Sequence, residues 1–260
     1  KGADYFVDGA SSIAKTLKVP TLIIGLTIVA FGTSAPELAV SVTSAIQGQN
    51  AIAVGNVVGS NIFNLLMVVG IAAMICPLVV KKSILIKEFP FTLLAAVVLF
   101  IMALDVVLGS GASNTISRTD GIMLLVLFGI FMYYLVEVAL TARANASAED
   151  EIESMPLSKS MILSLVGIAG IVIGGKFVVD NASIIAKAWG MSESLVGLTI
   201  VAIGTSLPEL VTSVVAAKKG ESDIALGNVI GSSIFNIFLI LGVSATINPI
   251  EMAGTIFIDI

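Results

Sequence analysis

The chain has 260 residues, of which 57% are hydrophobic and only 12% are charged. Its mean hydropathy is +1.08. Because soluble domains usually carry about 25% charged residues, this composition excludes a water-soluble globule and indicates a protein with several membrane spans. The net charge of −5 is local, since four acids fall in one polar loop at 149–153.

The residue types also limit the chemistry. The chain has no histidine, and its single cysteine, Cys76, lies in an apolar run. A disulfide within the chain, a thiolate or imidazole metal site, and a Ser-His or Cys-His catalytic pair are therefore excluded. Any metal must be held by oxygen ligands.

Apolar runs of about 20 residues, the length that crosses a bilayer as a helix, follow one another along the chain. No alternating strand pattern occurs in them, and helices satisfy their own backbone groups in lipid. The sequence therefore predicts an all-α polytopic membrane protein. A short segment at 2–17 precedes spans near 20–46, 52–76, 89–108, 120–141, 160–180, 194–217 and 224–247.

A register of 172 residues relates the two halves of the chain. Residues 25–64 align without a gap to residues 197–236, and 26 of the 40 pairs are identical. In this register, the counterpart of span 160–180 would begin before Lys1, and the counterparts of two spans would follow Ile260. We therefore expect two repeats of five transmembrane helices, with part of the first helix and the last two helices absent from this chain.

Because five is an odd number, the repeats must enter the membrane from opposite faces, as in the inverted repeats of many secondary transporters. The expected division is a first repeat at 1–141, a linker at 142–159 and an incomplete second repeat at 160–260. The two regions of strongest similarity within it are 25–77 and 197–249.

The basic residues set the expected orientation. Positively charged loops stay on the cytoplasmic side, so we expect loop 142–159 to be cytoplasmic and the protein to lie in the plasma membrane. Nine basic residues fall on that side: Lys15, Lys18, Lys81, Lys82, Lys87, Arg143, Lys159, Lys218 and Lys219. Only four fall on the other: Lys1, Arg118, Lys176 and Lys187.

A repeated motif near the centres of spans 20–46 and 194–217 reads Gly-Thr-Ser-Ala-Pro-Glu at 32–37 and Gly-Thr-Ser-Leu-Pro-Glu at 204–209. A charged side chain at that depth costs at least ~2.5 kcal/mol and marks a functional site by default. Proline breaks the helix and frees carbonyls four residues earlier. Carboxylate, hydroxyl and carbonyl oxygens within one turn are the ligand set of hard cations such as Ca²⁺.

A second repeated motif follows on the next helix. It begins Gly-Asn-Val-Val-Gly-Ser at 55–60 and Gly-Asn-Val-Ile-Gly-Ser at 227–232, and each copy ends in asparagine. Its Gly-x-x-x-Gly spacing lets two helix backbones approach closely. The serine and the final asparagine are four residues apart and share one face, which could complete an oxygen cage.

Other polar residues of these spans favour structural roles. Asn56 and Asn228 lie off the serine and asparagine face, so we interpret them as interhelical hydrogen-bonding residues. Asp8 and Asp180 lie at the ends of their spans and are interpreted as interface or capping residues. Glu137 and Asp105, near helix ends, are interpreted as interfacial.

Both motif pairs resemble the alpha repeats of the calcium:cation antiporter superfamily, and within it the sodium/calcium exchanger branch. The alpha repeats of this branch read G-T-S-x-P-E and G-N-x-x-G-S-x-x-x-[ND]. The proton-coupled branch tends to place a glutamate just after the G-N, where this chain has valine at 57 and 229. Some exchangers, including potassium-dependent ones, have aspartate where Asn236 stands, so this asparagine argues against potassium coupling.

The resemblance implies a calcium site shared by Glu37 and Glu209, with help from Thr33 and Thr205. It implies no cofactor beyond the transported Ca²⁺ and Na⁺, and no nucleic acid partner. The other implied ligands are neutral oxygens that form sodium sites on either side or border the centre: Ser34, Ser60, Ser206, Ser232, the carbonyls of Ala30 and Ala202, and the amides of Asn64 and Asn236.

These observations predict a secondary antiporter that exchanges Ca²⁺ for Na⁺ by alternating access, and they leave alternatives open. One is a cation channel that uses the two glutamates as a selectivity pair, and another is a Ca²⁺ antiporter coupled to H⁺ or K⁺. A third is an intramembrane hydrolase with Ser34 or Ser206 as nucleophile, although the chain offers neither of them a histidine or a lysine nearby in sequence.

The lysine distribution makes a testable prediction about topology. A single cysteine introduced into loop 142–159 of a Cys76→Ser background should react with a membrane-impermeant thiol reagent only from the cytoplasmic side. A cysteine in loop 109–118 should react only from the other side. Labelling of both loops from the same side would contradict the inverted repeat of five helices.

Overall fold

The computed structural model describes residues 1–104, 106, 113–145, 154–191, 200 and 202–251. By length and apolar composition, five of the described helices could each cross a membrane, and a bent pair could form a sixth span. The helices are α1 (Gly2–Leu17), α2 (Thr21–Thr33), α3 (Ala35–Ile46), α4 (from Asn50 to Ile75), α5 (Ile84–Met102), α6 (Arg118–Asn145), α7 (Leu157–Ala188), α8 (Ala202–Thr205), α9 (Leu207–Lys218) and α10 (Ser222–Ile247).

The helical spans predicted from run length are confirmed, with differences in their limits. Helix α5 ends at Met102 rather than at 108, and α6 extends over Arg118–Asn145. Helix α5 begins at Ile84 rather than at 89, because a π-helical turn at Ile84–Glu88 precedes its α-helical part. Helix α7 continues to Ala188. The first part of the predicted span 194–217 and Asp105 lie outside the described residues.

One short strand pair was not predicted. Strand β1 (Thr115–Ile116) pairs antiparallel with β2 (Ile250–Glu251), with Thr115 opposite Glu251. It ties the segment before α6 to the segment that follows α10. Two residues per strand give no periodicity from which a pattern could have been read.

The predicted helix breaks occur at both repeated motifs. Between α2 and α3 the chain bends by 50°, and Ser34 has φ −82° and ψ 6° at the break. Ser206 has φ −90° and ψ 5° at the equivalent point between α8 and α9. Each break comes two residues before a proline, which cannot donate to the carbonyl four residues earlier.

Helix α10 is the central helix of the described structure. Of its most apolar window 94% is buried, against 17–28% for α4, α5, α6 and α7. Helices α2, α4, α6 and α9 pack around it. Since lipid offers no hydrophobic driving force between helices, such burial depends on close contact of backbones.

Glycine makes the closest of these contacts possible. A Cβ atom placed on Gly227 of α10 would lie 2.8 Å from the carbonyl oxygen of Leu22 and 3.0 Å from Cα of Gly25, both on α2. In the second copy the Gly-x-x-x-Gly spacing therefore serves the predicted close approach, with α2 of the first repeat as the partner of α10. In the first copy, Cβ atoms on Gly55 and Gly59 would meet no described atom within 4 Å.

Helices α1 and α7 form a second tight pair by the same means. A Cβ atom on Gly9 would lie 2.7 Å from the carbonyl oxygen of Ser160, and one on Gly167 would lie 2.5 Å from the backbone nitrogen of Phe6. The two helices come from different repeats. The described repeats are thus joined at two separate backbone contacts.

The α2–α10 contact predicts a specific stability loss. Gly227→Ala should force the two backbones apart, and overpacking of this kind costs typically about 1–3 kcal/mol. The thermal midpoint in detergent should fall, at roughly 2–4 °C per kcal/mol for a protein of this size. Gly129→Ala is the matched control, because a Cβ atom at Gly129 meets no described atom within 4 Å. Equal midpoints for the two variants would contradict the close packing.

Candidate cation-binding site

Two glutamates, one from each repeat, face each other in the interior. Glu37 and Glu209 lie in the first turns of α3 and α9, directly after the helix breaks, and both are 0% exposed. The N-terminal end of a helix carries a partial positive charge that favours a carboxylate there. The two carboxylates are close enough to repel each other electrostatically.

Serines at the helix breaks connect the repeats reciprocally. Ser34 Oγ donates to Glu209 Oε1 over 3.0 Å, and Ser206 Oγ donates to Glu37 Oε1 over 3.0 Å. Each serine therefore comes from one repeat and holds the glutamate of the other. This exchange is what a pseudo-two-fold relation between the repeats requires.

The second motif adds one hydroxyl to each carboxylate. Ser60 Oγ on α4 lies 3.5 Å from Glu37 Oε1, and Ser232 Oγ on α10 lies 3.4 Å from Glu209 Oε1. Ser206 Oγ also lies within hydrogen-bond distance of Ser60 Oγ, at 3.0 Å. Each carboxylate thus has hydroxyl groups from both repeats around one oxygen.

The asparagines of the Gly-Asn motifs hold the glutamate backbones. Asn56 Nδ2 donates to the Glu37 carbonyl over 3.2 Å and to Ser41 Oγ over 2.9 Å. Asn228 Nδ2 donates in the same way to the Glu209 carbonyl over 3.3 Å and to Ser213 Oγ over 3.0 Å. The interpretation of these asparagines as interhelical hydrogen-bonding residues is confirmed.

Sequence reasoning missed the two serines that also accept hydrogen bonds from these asparagines. Ser41 and Ser213 are buried and accept from the asparagine amides. A signal for them was present, because each follows its glutamate by four residues and the pair is identical in the 172-residue register.

The threonine hydroxyls cross between the repeats as well. Thr33 Oγ1 donates to Asn228 Oδ1 over 2.9 Å, and Thr205 Oγ1 donates to Asn56 Oδ1 over 3.3 Å. The Ala30 carbonyl lies 3.3 Å from Thr33 Oγ1 and also accepts the Ser34 N–H over 2.9 Å. Ala202, its counterpart, is the first residue of α8.

Several buried polar atoms of the repeated motifs lack a hydrogen-bond partner among the described residues. They are Oε2 of Glu37 and of Glu209, Oδ1 of Asn64 and of Asn236, and Nδ2 of Asn64. Native structures leave few buried polar atoms without a partner, and such an atom in an apolar surrounding costs free energy. A cation is a partner that the two carboxylate oxygens could take.

The two central asparagines lie in π-helical turns that the sequence did not predict. Asn64 is in the turn Phe63–Val68 of α4 and Asn236 in the turn Phe235–Leu241 of α10. Asn236 Nδ2 donates to Asn61 Oδ1 over 3.0 Å. Such turns occur often at functional sites, and here both repeats place one at the same position.

The charge of this centre comes from two carboxylates alone. Among the described residues, no three side chains of the types His, Cys, Asp and Glu come together. The ion pairs found among them involve other acids, so neither glutamate is neutralised by a basic side chain. Two negative charges surrounded by neutral oxygens fit one divalent cation or two monovalent cations.

A cavity of about 490 Å³ reaches the helix breaks beside this centre. Pro36, Thr205 and Pro208 line its inner part, and Lys176 and Asp180 line its side on α7. Asp180 is paired with Lys176 over 3.6 Å. The cavity is thus lined by residues of both Gly-Thr-Ser-x-Pro-Glu motifs.

The other acids singled out in the sequence lie away from the two glutamates where the structure describes them. Asp8 pairs with Lys219 over 2.7 Å, linking α1 to the end of α9. Glu137 is exposed on α6. Neither contributes to the centre around the two glutamates.

Comparison with known proteins places these features in a family. The model of the family described as sodium/calcium exchanger protein matches residues 1–137 and 159–259. The inner membrane protein YrbG of Escherichia coli (strain K12) is 39% identical over 257 residues, which cover 96% of this chain and 77% of that protein. The sodium/calcium exchanger MaX1 of Methanosarcina acetivorans is 36% identical, with coverage of 97% and 81%.

The fold also matches a solved structure. The sodium-calcium exchanger NCX_Mj, in crystals soaked with 10 mM Na⁺ and without Ca²⁺, superposes with a TM-score of 0.83 at 32% identity. The alignment covers 99% of this chain and 81% of that one. The similarity therefore extends over nearly all of the chain.

Proposed function

The chain belongs to the sodium/calcium exchanger family, and on that premise we propose that it is a secondary antiporter that moves Ca²⁺ against Na⁺ through one site containing Glu37 and Glu209. The family exchanges cations across membranes, and the chain is an integral membrane protein. The observation that carries the proposal is the meeting of two fully buried, unneutralised carboxylates whose Oε2 atoms have no described partner.

The ligand roles follow from the chemistry of each oxygen. Ca²⁺ takes 6–8 oxygen ligands and needs anionic ones to offset its dehydration, so it belongs between the two glutamates, with the threonines close by. Na⁺ carries half that charge and can be held by neutral oxygens beside one carboxylate. The proposed sodium ligands are Ser34, Ser60, Ser206, Ser232 and the carbonyls of Ala30 and Ala202, with Asn64 and Asn236 bordering the centre.

This arrangement gives a rule for exchange. One Ca²⁺ or two Na⁺ neutralise the two glutamates, and unneutralised carboxylates in a low-dielectric interior are costly. The protein with a loaded site can therefore change between its inward-facing and outward-facing states more readily than the protein with an empty site. Binding either ion set displaces the other, and a third Na⁺ among neutral oxygens would make exchange electrogenic.

Alternating access requires the site to face each side in turn. It lies between the repeats, as midplane sites of inverted-repeat transporters do. Helix α7 leaves the cytoplasmic loop at Leu157, so Lys176 and Asp180 lie toward the opposite side, and the 490 Å³ cavity that they line is the proposed outer path. In this proposal the protein lies in the plasma membrane with loop 142–159 in the cytoplasm.

The alternatives differ in what they require of the same residues. A channel needs a continuous pore, whereas Ser34, Ser206 and both threonines close the centre by hydrogen bonds between repeats. A hydrolase needs a base beside its serine, but Ser34 and Ser206 donate to buried carboxylates that are themselves held in the cation centre. A Ca²⁺ antiporter coupled to H⁺ or K⁺ would use the same architecture, so flux measurements must distinguish it from one coupled to Na⁺.

The transport assay uses the full-length protein in proteoliposomes. Uptake of radioactive calcium should require an outward Na⁺ gradient and should saturate with external Ca²⁺. Outward K⁺ or H⁺ gradients of the same size should give no uptake above the ion-free control. Uptake driven by either of these, or calcium flux that does not saturate and needs no counter-ion, would contradict Na⁺/Ca²⁺ exchange.

Removing one glutamate charge should abolish calcium exchange. Glu37→Gln and Glu209→Gln keep the shape and one oxygen but delete a charge a few ångströms from the ion, worth about 4 kcal/mol at an effective dielectric of 20. Each 1.4 kcal/mol is about tenfold, so calcium affinity should fall at least about a hundredfold. Glu137→Gln, which removes an exposed carboxylate on α6, is the matched control and should transport normally. Near-normal Na⁺-driven flux in either site variant would show that its glutamate is not a ligand.

Adding a charge beside the centre should change selectivity without abolishing transport. Asn236→Asp puts a third carboxylate where Asn236 Oδ1 now has no described partner. Three neighbouring carboxylates repel one another and compete for protons, so transport should become more dependent on pH and the ratio of Ca²⁺ to Na⁺ affinity should shift. Asn181→Asp on the exposed surface of α7 should change neither. An unchanged pH profile and ion preference would place Asn236 outside the site.

A further inference from the structure

A third buried carboxylate lies outside the exchange site. Because α5 begins with the π-helical turn Ile84–Glu88, Glu88 belongs to the helix and is only 3% exposed. The exchange motifs do not involve it, and the 172-residue register gives it no counterpart, since residue 260 would correspond to Glu88 and is isoleucine.

The surroundings of Glu88 leave one of its oxygens without a partner. Tyr134 on α6 donates its phenol O–H to Glu88 Oε1 over 2.8 Å, and Phe91 stacks on the Tyr134 ring at 5.3 Å. Glu88 Oε2 has no hydrogen-bond partner among the described residues. The phenol thus fixes the carboxylate and leaves its second oxygen available.

A second oxygen in the same state lies one turn further along α5. Thr92 follows Glu88 by four residues, which puts both on one face of the helix, and it is 6% exposed. Its Oγ1 has no described hydrogen-bond partner either, although threonine in a helix commonly donates to the carbonyl four residues earlier. Two adjacent buried oxygens therefore remain unpaired, and they do not hydrogen-bond to each other.

The charge of Glu88 is not balanced by a basic side chain. Among the described ion pairs none includes Glu88, and the neighbouring Lys87 is exposed. A buried carboxylate without a basic partner needs a cation or a proton to offset its charge.

We propose that Glu88 and Thr92, with Tyr134 beside them, bind one alkali-metal cation at a site separate from the exchange site. The ligand is a monovalent cation because one buried carboxylate balances one positive charge, whereas Ca²⁺ needs more anionic ligands and 6–8 oxygens. The bound ion stabilises the contact between α5 and α6, both of which pack on the central helix α10. This inference does not depend on the proposed exchange function.

The test separates this site from the exchange site by mutation. In full-length protein carrying Glu37→Gln and Glu209→Gln, purified in detergent with a calcium chelator, the thermal midpoint is followed by circular dichroism at 222 nm. NaCl and KCl are titrated in separate arms against choline chloride at constant ionic strength. One weak site near saturation should raise the midpoint by roughly 2–4 °C in at least one arm, and the arms identify the ion.

The variants decide whether Glu88 carries that shift. Adding Glu88→Gln should abolish it, and adding Thr92→Val, which removes one neutral oxygen, should move its concentration midpoint several-fold higher. Adding Glu137→Gln, the matched carboxylate control, should leave it in place. A midpoint that follows pH but neither Na⁺ nor K⁺ would show that Glu88 holds a proton and would overturn the proposal, as would an alkali-ion shift that persists in both the Glu88 and the Thr92 variants.

Discussion

The cost of a carboxylate inside a membrane is the constraint on which this structure depends. Glu37 and Glu209 are both fully buried, close to each other and without a basic partner among the described residues. Such a pair repels itself and resists burial. Nearly every polar contact near the middle of the fold reduces that cost: the glutamates lie at helix N-termini, hydroxyl groups from both repeats surround one oxygen of each, and the asparagine amides hold the glutamate backbones. The remaining oxygens point to a cation as the missing stabilising partner.

Duplication accounts for how one short motif can build this site. Each repeat alone supplies a glutamate, a serine at the helix break and a hydroxyl on the next helix, which is too few oxygens for Ca²⁺. The crossing bonds from Ser34 to Glu209 and from Ser206 to Glu37 bring the two incomplete sets together. The helix breaks set the positions of these serines, because Ser34 and Ser206 are the residues at which the helices break.

The sequence could predict those parts of the fold and site that depend on neighbouring residues or that recur in both repeats. Run length gave the spans, Pro36 and Pro208 gave the breaks, and the 172-residue register marked the oxygen-bearing residues that the structure brings together. Ser41 and Ser213 also match in the register, but they lie outside the two motifs and nothing else in the sequence distinguished them from other serines. The π-helical turns at 63–68 and 235–241 could not be predicted, because they depend on packing against other helices and not on residue type.

The burial of Glu88 could not be predicted from the sequence either. In sequence it follows a lysine just before an apolar run, a pattern typical of a solvated helix end, and it has no repeat partner. Only the tertiary contact with Tyr134 reveals that it is buried. The repeated motifs that carry the family resemblance lie on other helices and do not include Glu88.

The account is tested most directly by locating the ion. Crystals of the full-length protein soaked with Sr²⁺, which substitutes for Ca²⁺ and scatters anomalously, should show a strong anomalous peak between the two repeats. We predict that this peak lies at coordination distance, about 2.3–2.6 Å for Ca²⁺ and slightly longer for Sr²⁺, from carboxylate oxygens of both Glu37 and Glu209. A strong peak elsewhere in the membrane region, or one that only a single glutamate contacts, would contradict the shared site.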